Sequence, residues 1–115
     1  MQADCLFCKI FKGEVPSKQV YRDDDVYAFE DIRPVAPVHV LVIPREHIPS
    51  VHELKPEHTE LLFRLIDVGN RIADERGVGR DGYRIVTNKG PQAGQTVYHV
   101  HFHVLGGRSM GWPPG

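Results

Sequence analysis

From residue 99 to 105 the chain alternates imidazole with large apolar side chains, His99-Val100-His101-Phe102-His103-Val104-Leu105. Period-two alternation is the pattern of a strand with one face in a core and the other presented to a site. The stretch predicts a strand that buries Val100, Phe102 and Val104 and sets His99, His101 and His103 in a row opposite. A second apolar run, Val38-His39-Val40-Leu41-Val42-Ile43-Pro44, reads as a central strand closed by proline. Gln19 to Arg22 and Val26 to Glu30 look like a hairpin turned by Asp23-Asp24-Asp25, an acidic run that needs no reading beyond a solvated turn. Gly82 to Asn88 carries the strand-like alternation Tyr83-Arg84-Ile85-Val86.

Helical spacing occurs in residues 56 to 76, where Leu61, Leu65, Val68 and Ile72 recur and Leu62 and Ile66 broaden the stripe. Pro56 suits the first turn, Gly77 is a terminator, and His58 is expected to face solvent. Residues 4 to 12 predict a short helix with Cys5 and Cys8 near its start, ended by Gly13 and a turn at Pro16. Asp31-Ile32-Arg33-Pro34-Val35-Ala36-Pro37 is a stiff connection, since each proline fixes its own φ and restricts its predecessor. Strands outnumber helices and are joined mostly by short turns. The class is therefore α+β with a largely antiparallel sheet, one long and one short helix, in a single domain over residues 1–115.

Composition adds mainly exclusions. At 115 residues, 41% hydrophobic and 25% charged, the chain has the makeup of one globular core. A formal net charge of -1 without a Lys/Arg cluster argues against a general nucleic-acid binder. No apolar run approaches a membrane helix and no signal pattern opens the chain, so a cytoplasmic location is expected. In that setting Cys5-Leu6-Phe7-Cys8 reads as reduced thiols or metal ligands rather than a disulfide. A domain this small also gains from oligomerisation.

A lone histidine facing a core is usually a satisfied structural residue. Three in register, with His39 on a second apolar strand, weaken that explanation. Zinc takes nitrogen ligands at about 2.0–2.1 Å, whereas the outer two of three alternating strand residues are about 13 Å apart at the backbone. All three therefore do not share one ion comfortably, although two could. The remaining reading is nucleophilic and acid/base chemistry on a phosphate ester or amide, for which neutral imidazole suits pH 7. The preceding loop agrees with it. Gly90 and Gly94 would let backbone N–H groups turn inward around an anion, and Gln95 and Thr96 add side-chain donors.

In combination, His99-Val100-His101-Phe102-His103-Val104-Leu105 resembles the signature of the histidine-triad (HIT) superfamily. Gly94-Gln95-Thr96-Val97-Tyr98 and the ending Trp112-Pro113-Pro114-Gly115 are similar to its Hint branch of nucleoside phosphoramidases. Cys5 to Ile10, Asp31-Ile32, His39 and Pro44-Arg45-Glu46-His47 also fall at family positions. The resemblance implies a HIT-like α+β unit whose sheet continues across a two-fold homodimer, with a purine nucleoside monophosphate bound in each subunit. It implies that adenosine phosphoramidates are hydrolysed through a nucleotidylated histidine, with no organic cofactor. His101 would be that nucleophile, His103 would contact the phosphate, and His99 and His39 would hold the nucleophile's tautomer and orientation.

By the same resemblance Asp31 would bind the ribose hydroxyls and Ile32 would pack on the base. Asn88, Gly94, Gln95 and Thr96 would line the phosphate, with Thr96 near the leaving group where the family more often has serine. Trp112 would reach the neighbouring subunit's site on the leaving-group side. Zinc-binding relatives carry ligands at the positions of Cys5, Cys8, His47 and His99, which implies a structural zinc. The competing reading makes Cys5 and Cys8 small buried residues and His47 a turn cap. Two other functions stay open, a dinucleoside polyphosphate hydrolase and a nucleotide-binding regulatory interaction protein.

Overall fold

The computed structural model describes residues 2–115. Its elements are α1 (Leu6–Phe11), β1 (Gln19–Arg22), β2 (Val26–Glu30), β3 (Val38–Pro44), α2 (Thr59–Glu75), β4 (Tyr83–Val86) and β5 (Phe102–Gly106). The strands form one antiparallel sheet in the order β1-β2-β3-β5-β4. This is the α+β fold expected from the pattern of strands and helices.

All seven residues of β3 are buried because the strand has neighbours at both edges and a layer on each face. On one face Val26, Ala28, Val40, Val42, Phe102 and Val104 pack with Leu65, Val68 and Ile72 of α2. Full burial of such a side chain stabilises by about 1.5–3 kcal/mol, which is why the apolar stripe of α2 is held against the sheet. Gly69 lets the helix come close, since a Cβ there would lie 3.2 Å from Val104 Cγ2. On the other face Tyr27, Phe29, Leu41 and Ile43 pack with Phe7, Ile10 and Phe11 around α1. The register pairs Leu41 with His103 and His39 with Leu105, so His39 and His103 lie on the α1 face of the sheet.

The structure departs from the pattern in three places. The histidine strand begins at Phe102, not His99. Before it, Val100 N–H donates to Ile48 O at 2.6 Å and Thr87 Oγ1 donates to His101 O at 2.8 Å, so loop partners take the groups a ladder would use. The alternation survives all the same, with Val100, Phe102 and Val104 in the α2-side core. The long helix begins at Thr59, preceded by a 3₁₀ turn at Pro56–His58. His58 is not simply solvent-facing: its Nε2 lies 3.0 Å from Glu46 Oε2, and its Nδ1 accepts from Lys55 N–H at 3.0 Å. Among the described residues no helix is long and apolar enough to cross a membrane.

Candidate active site

The hydrogen-bond partners of each imidazole assign its proton. His101 Nδ1 lies 2.7 Å from the His99 carbonyl. A carbonyl only accepts, so Nδ1 carries the hydrogen and Nε2 keeps its lone pair. Phe7 meets this ring edge-on, at 5.0 Å between centroids and 87° between planes. Burial, partly offset by the bond to His99, holds the pKa of His101 below the ordinary imidazole value. The ring is therefore neutral at pH 7, with an unprotonated nitrogen.

His39 is organised from its other side. Its Nδ1 accepts the Val35 N–H at 3.1 Å, which leaves the proton on Nε2. That nitrogen is 2.9 Å from His103 Nδ1 and 3.3 Å from Asp31 Oδ2. Donation to His103 Nδ1 leaves His103 with its own proton on Nε2, a donor where His101 presents a lone pair. The His101 and His103 rings are 5.2 Å apart. Burial lowers the pKa of His39, and burial with neighbouring His101 and His39 lowers His103 to about 4. His39 thus supports His103, while the tautomer of His101 is held by the backbone of His99.

His99 turns away from both. Its Nε2 lies 2.8 Å from the Pro44 carbonyl, so Nε2 is the protonated nitrogen and the Nδ1 lone pair is free. That Nδ1 is 3.4 Å from Cys5 Sγ, 3.5 Å from Cys8 Sγ and 3.3 Å from His47 Nδ1. Cys8 Sγ is also 3.5 Å from His47 Nδ1. A tetrahedral zinc with bonds of about 2.0–2.3 Å has ligand-to-ligand edges of about 3.3–3.8 Å, which these distances match. Cys5, Cys8, His47 and His99 could therefore hold a metal such as zinc. Cys5 sits at the N-cap of α1, its Sγ accepting from Cys8 N–H at 3.4 Å, and burial pushes its thiol pKa up.

Asp31 and Ile32 border a cleft of about 670 Å³ that also reaches Lys18, Pro34 and His39. Ile32 is 92% exposed there, an apolar wall left uncovered among the described residues. Asp31 uses Oδ1 to accept from Arg33 N–H at 2.8 Å, which stiffens the turn. The glycine loop differs from expectation. Gly90 N–H donates to Gln95 Oε1 at 2.9 Å, Gly94 N–H to Pro91 O at 3.1 Å, and Gln95 Nε2 to the carbonyls of Pro49 and Val97. The Gly90 and Gly94 N–H groups and the Gln95 side chain are thus already engaged, and buried Gln95 braces the loop against Pro49. Thr96 is exposed and Asn88 half-buried beside Thr87, while Trp112 is 83% exposed with the Arg84 guanidinium 5.8 Å from its ring.

Sequence reasoning missed Phe7, Thr87 and the Pro44 carbonyl, which hold the His101 ring, the His101 backbone and the His99 ring. Only Phe7 had a signal, as an aromatic between two cysteines of a short helix.

A HIT domain model matches residues 12–110 of the chain. A HIT family hydrolase from Legionella pneumophila Philadelphia 1 superposes with a TM-score of 0.96, at 46% identity over 97% of this chain and 100% of that one. The chain belongs to the HIT family, among its hydrolases. It is homologous to the purine nucleoside phosphoramidase of Escherichia coli strain K12, at 47% identity over 111 residues, 96% of this chain and 93% of the relative. An uncharacterised HIT-like protein of Synechococcus elongatus is 50% identical over 115 residues, the full length of both.

Proposed function

We propose that the protein hydrolyses the P–N bond of purine nucleoside phosphoramidates through a nucleotidyl-His101 intermediate. The observation that carries this reading is the bond from His101 Nδ1–H to His99 O, which leaves a neutral imidazole with its Nε2 pair available at pH 7. His101 Nε2 bonds to the α-phosphorus as the P–N bond breaks, and the amine departs with a proton taken up from solvent, which the water of the second step gives back. Water then cleaves the nucleotidyl-imidazole bond, releasing the nucleoside monophosphate. His103 Nε2–H stabilises a non-bridging phosphate oxygen in both steps. Asp31 takes the ribose hydroxyls, Ile32 the base, and Asn88 and Thr96 the phosphate and leaving-group side.

Cys5, Cys8, His47 and His99 would hold a structural zinc, a closed site that supplies a fixed anchor and no reaction step. The chain's own residues carry that anchoring to the nucleophile, because the backbone of His99 is the acceptor for His101. A two-fold homodimer, continuing the sheet and bringing Trp112 to the partner's site, completes the reading. Turnover of adenosine phosphoramidate and diadenosine polyphosphates by wild type and His101→Ala tests it. Preferential phosphoramidate turnover, lost in the variant, is expected. Faster cleavage of the polyphosphates would place the protein with the sister activity, and binding without turnover would make it an interaction protein.

A further inference from the structure

One proton stands between three groups at the edge of the site. His39 has its Nδ1 committed as acceptor to Val35 N–H, so Nε2–H is its only donor. Two acceptors face it, His103 Nδ1 at 2.9 Å and Asp31 Oδ2 at 3.3 Å. Asp31 does not need Oδ2 for its turn, since the bond from Arg33 N–H uses Oδ1. The Oδ2 atom therefore competes with His103 for the same hydrogen. Whichever acceptor holds it decides which nitrogen of neutral His103 carries that ring's single hydrogen.

We infer that Asp31 and His39 act as positioning residues that couple recognition of the ribose hydroxyls to the proton state of His103. The inference rests on the reading above in which Asp31 receives those hydroxyls. When hydroxyl groups donate to Asp31 Oδ2, that oxygen is satisfied and His39 Nε2–H goes to His103 Nδ1. His103 then holds its proton on Nε2, the form that donates to phosphate. With a ligand lacking the hydroxyls, Asp31 continues to draw on His39, and His103 spends part of its time with the hydrogen on Nδ1 and no donor for phosphate. The sugar is thus read in the chemical step as well as in binding, a use of remote contacts to support the reacting centre.

The test compares kcat and KM for adenosine phosphoramidate and its 2′,3′-dideoxy analogue in wild type, His39→Leu and His39→Gln. In wild type, loss of the hydroxyls should raise KM and also lower kcat by roughly three- to tenfold, the size of one hydrogen bond. In His39→Leu kcat starts lower, and loss of the hydroxyls should now raise KM alone. His39→Gln, which keeps an N–H for His103 and an oxygen for Val35, should retain part of the kcat effect. Nitrogen-15 NMR of wild-type His103 should report more Nε2–H tautomer with AMP than with dideoxy-AMP bound, a readout independent of variant folding. An equal kcat loss in wild type and His39→Leu, or identical His103 spectra in the two complexes, would overturn the coupling. A raised KM with unchanged kcat in wild type would overturn the coupling and leave ribose binding at Asp31 standing. Indifference of both constants would remove the ribose assignment and the coupling with it.

Discussion

Replacement of Phe7 by leucine separates positioning of the His101 ring from general packing. Phe7 is 5% exposed and meets three rings edge-on, Phe29 at 5.6 Å, His99 at 6.0 Å and His101 at 5.0 Å. Leucine keeps most of the apolar burial and loses the ring. Each such pair contributes about 0.5–1.5 kcal/mol beyond burial, so three pairs set a ceiling of roughly 1.5–4.5 kcal/mol, with about 2 kcal/mol expected because neighbouring contacts do not add fully. Only the pair with His101 bears on the ring proposed to react. Its share corresponds to roughly a two- to tenfold fall in kcat, with KM little changed. The control is Phe29→Leu, which breaks the Phe7–Phe29 pair and the Phe29 stack on Tyr27 and leaves both histidine contacts of Phe7 in place. Steady-state kinetics, urea denaturation and metal content are measured together, so loss of the cysteine cluster is distinguished from loss of ring contact. Equal kcat in the two variants at matched stability would refute a positioning role for Phe7.

Other outcomes follow from the same geometry. His103 is neutral in the native state down to about 4, whereas an unfolded imidazole titrates near 6.5, so its contribution is fully present above pH 6.5 and is lost as pH falls through about 4. The ceiling is about 3 kcal/mol, reduced by partial solvent access; urea midpoints at pH 7 and 5 should differ less in His103→Gln than in wild type. Protein purified without chelator should carry about one zinc per chain, removed by Cys8→Ala; a substoichiometric wild type with freely reactive thiols would contradict the site. Sedimentation should give a dimer at micromolar concentration, and Trp112→Ala should alter selectivity among leaving amines with binding of the nucleoside monophosphate unchanged. A monomer, or unaltered selectivity, would count against the shared site.

The strands over Gln19–Arg22, Val26–Glu30 and Val38–Pro44 were legible as short apolar runs bounded by turn residues and proline, and the continuous burial of Val38–Pro44 is what a central strand covered on both faces gives. The start of β5 was not legible. Whether His99 to His101 join a ladder depends on Ile48 and Thr87, which approach from distant parts of the chain. Likewise the type and order of the histidines pointed to imidazole chemistry, but the partner of each depends on register. Leu41 opposite His103 brings His39 to His103 and not to His101. Cys5, Cys8, His47 and His99 were assembled through family resemblance, and their distances supply the physical fit that spacing alone lacked. Gln95 read as an anion donor because its chemistry permits that use. Only the closed loop reveals that Gly90, Pro49 and Val97 already occupy it.

The central claim is a covalent bond between phosphorus and His101 Nε2. Rapid-quench mass spectrometry of the wild type during turnover of adenosine phosphoramidate tests it most directly, with peptide mapping of any adduct. The expected result is a nucleoside monophosphate adduct on the peptide bearing His101, formed and consumed at rates compatible with kcat, and absent in His101→Ala together with turnover. Turnover without any adduct, an adduct on another residue, or substantial activity in His101→Ala would contradict it.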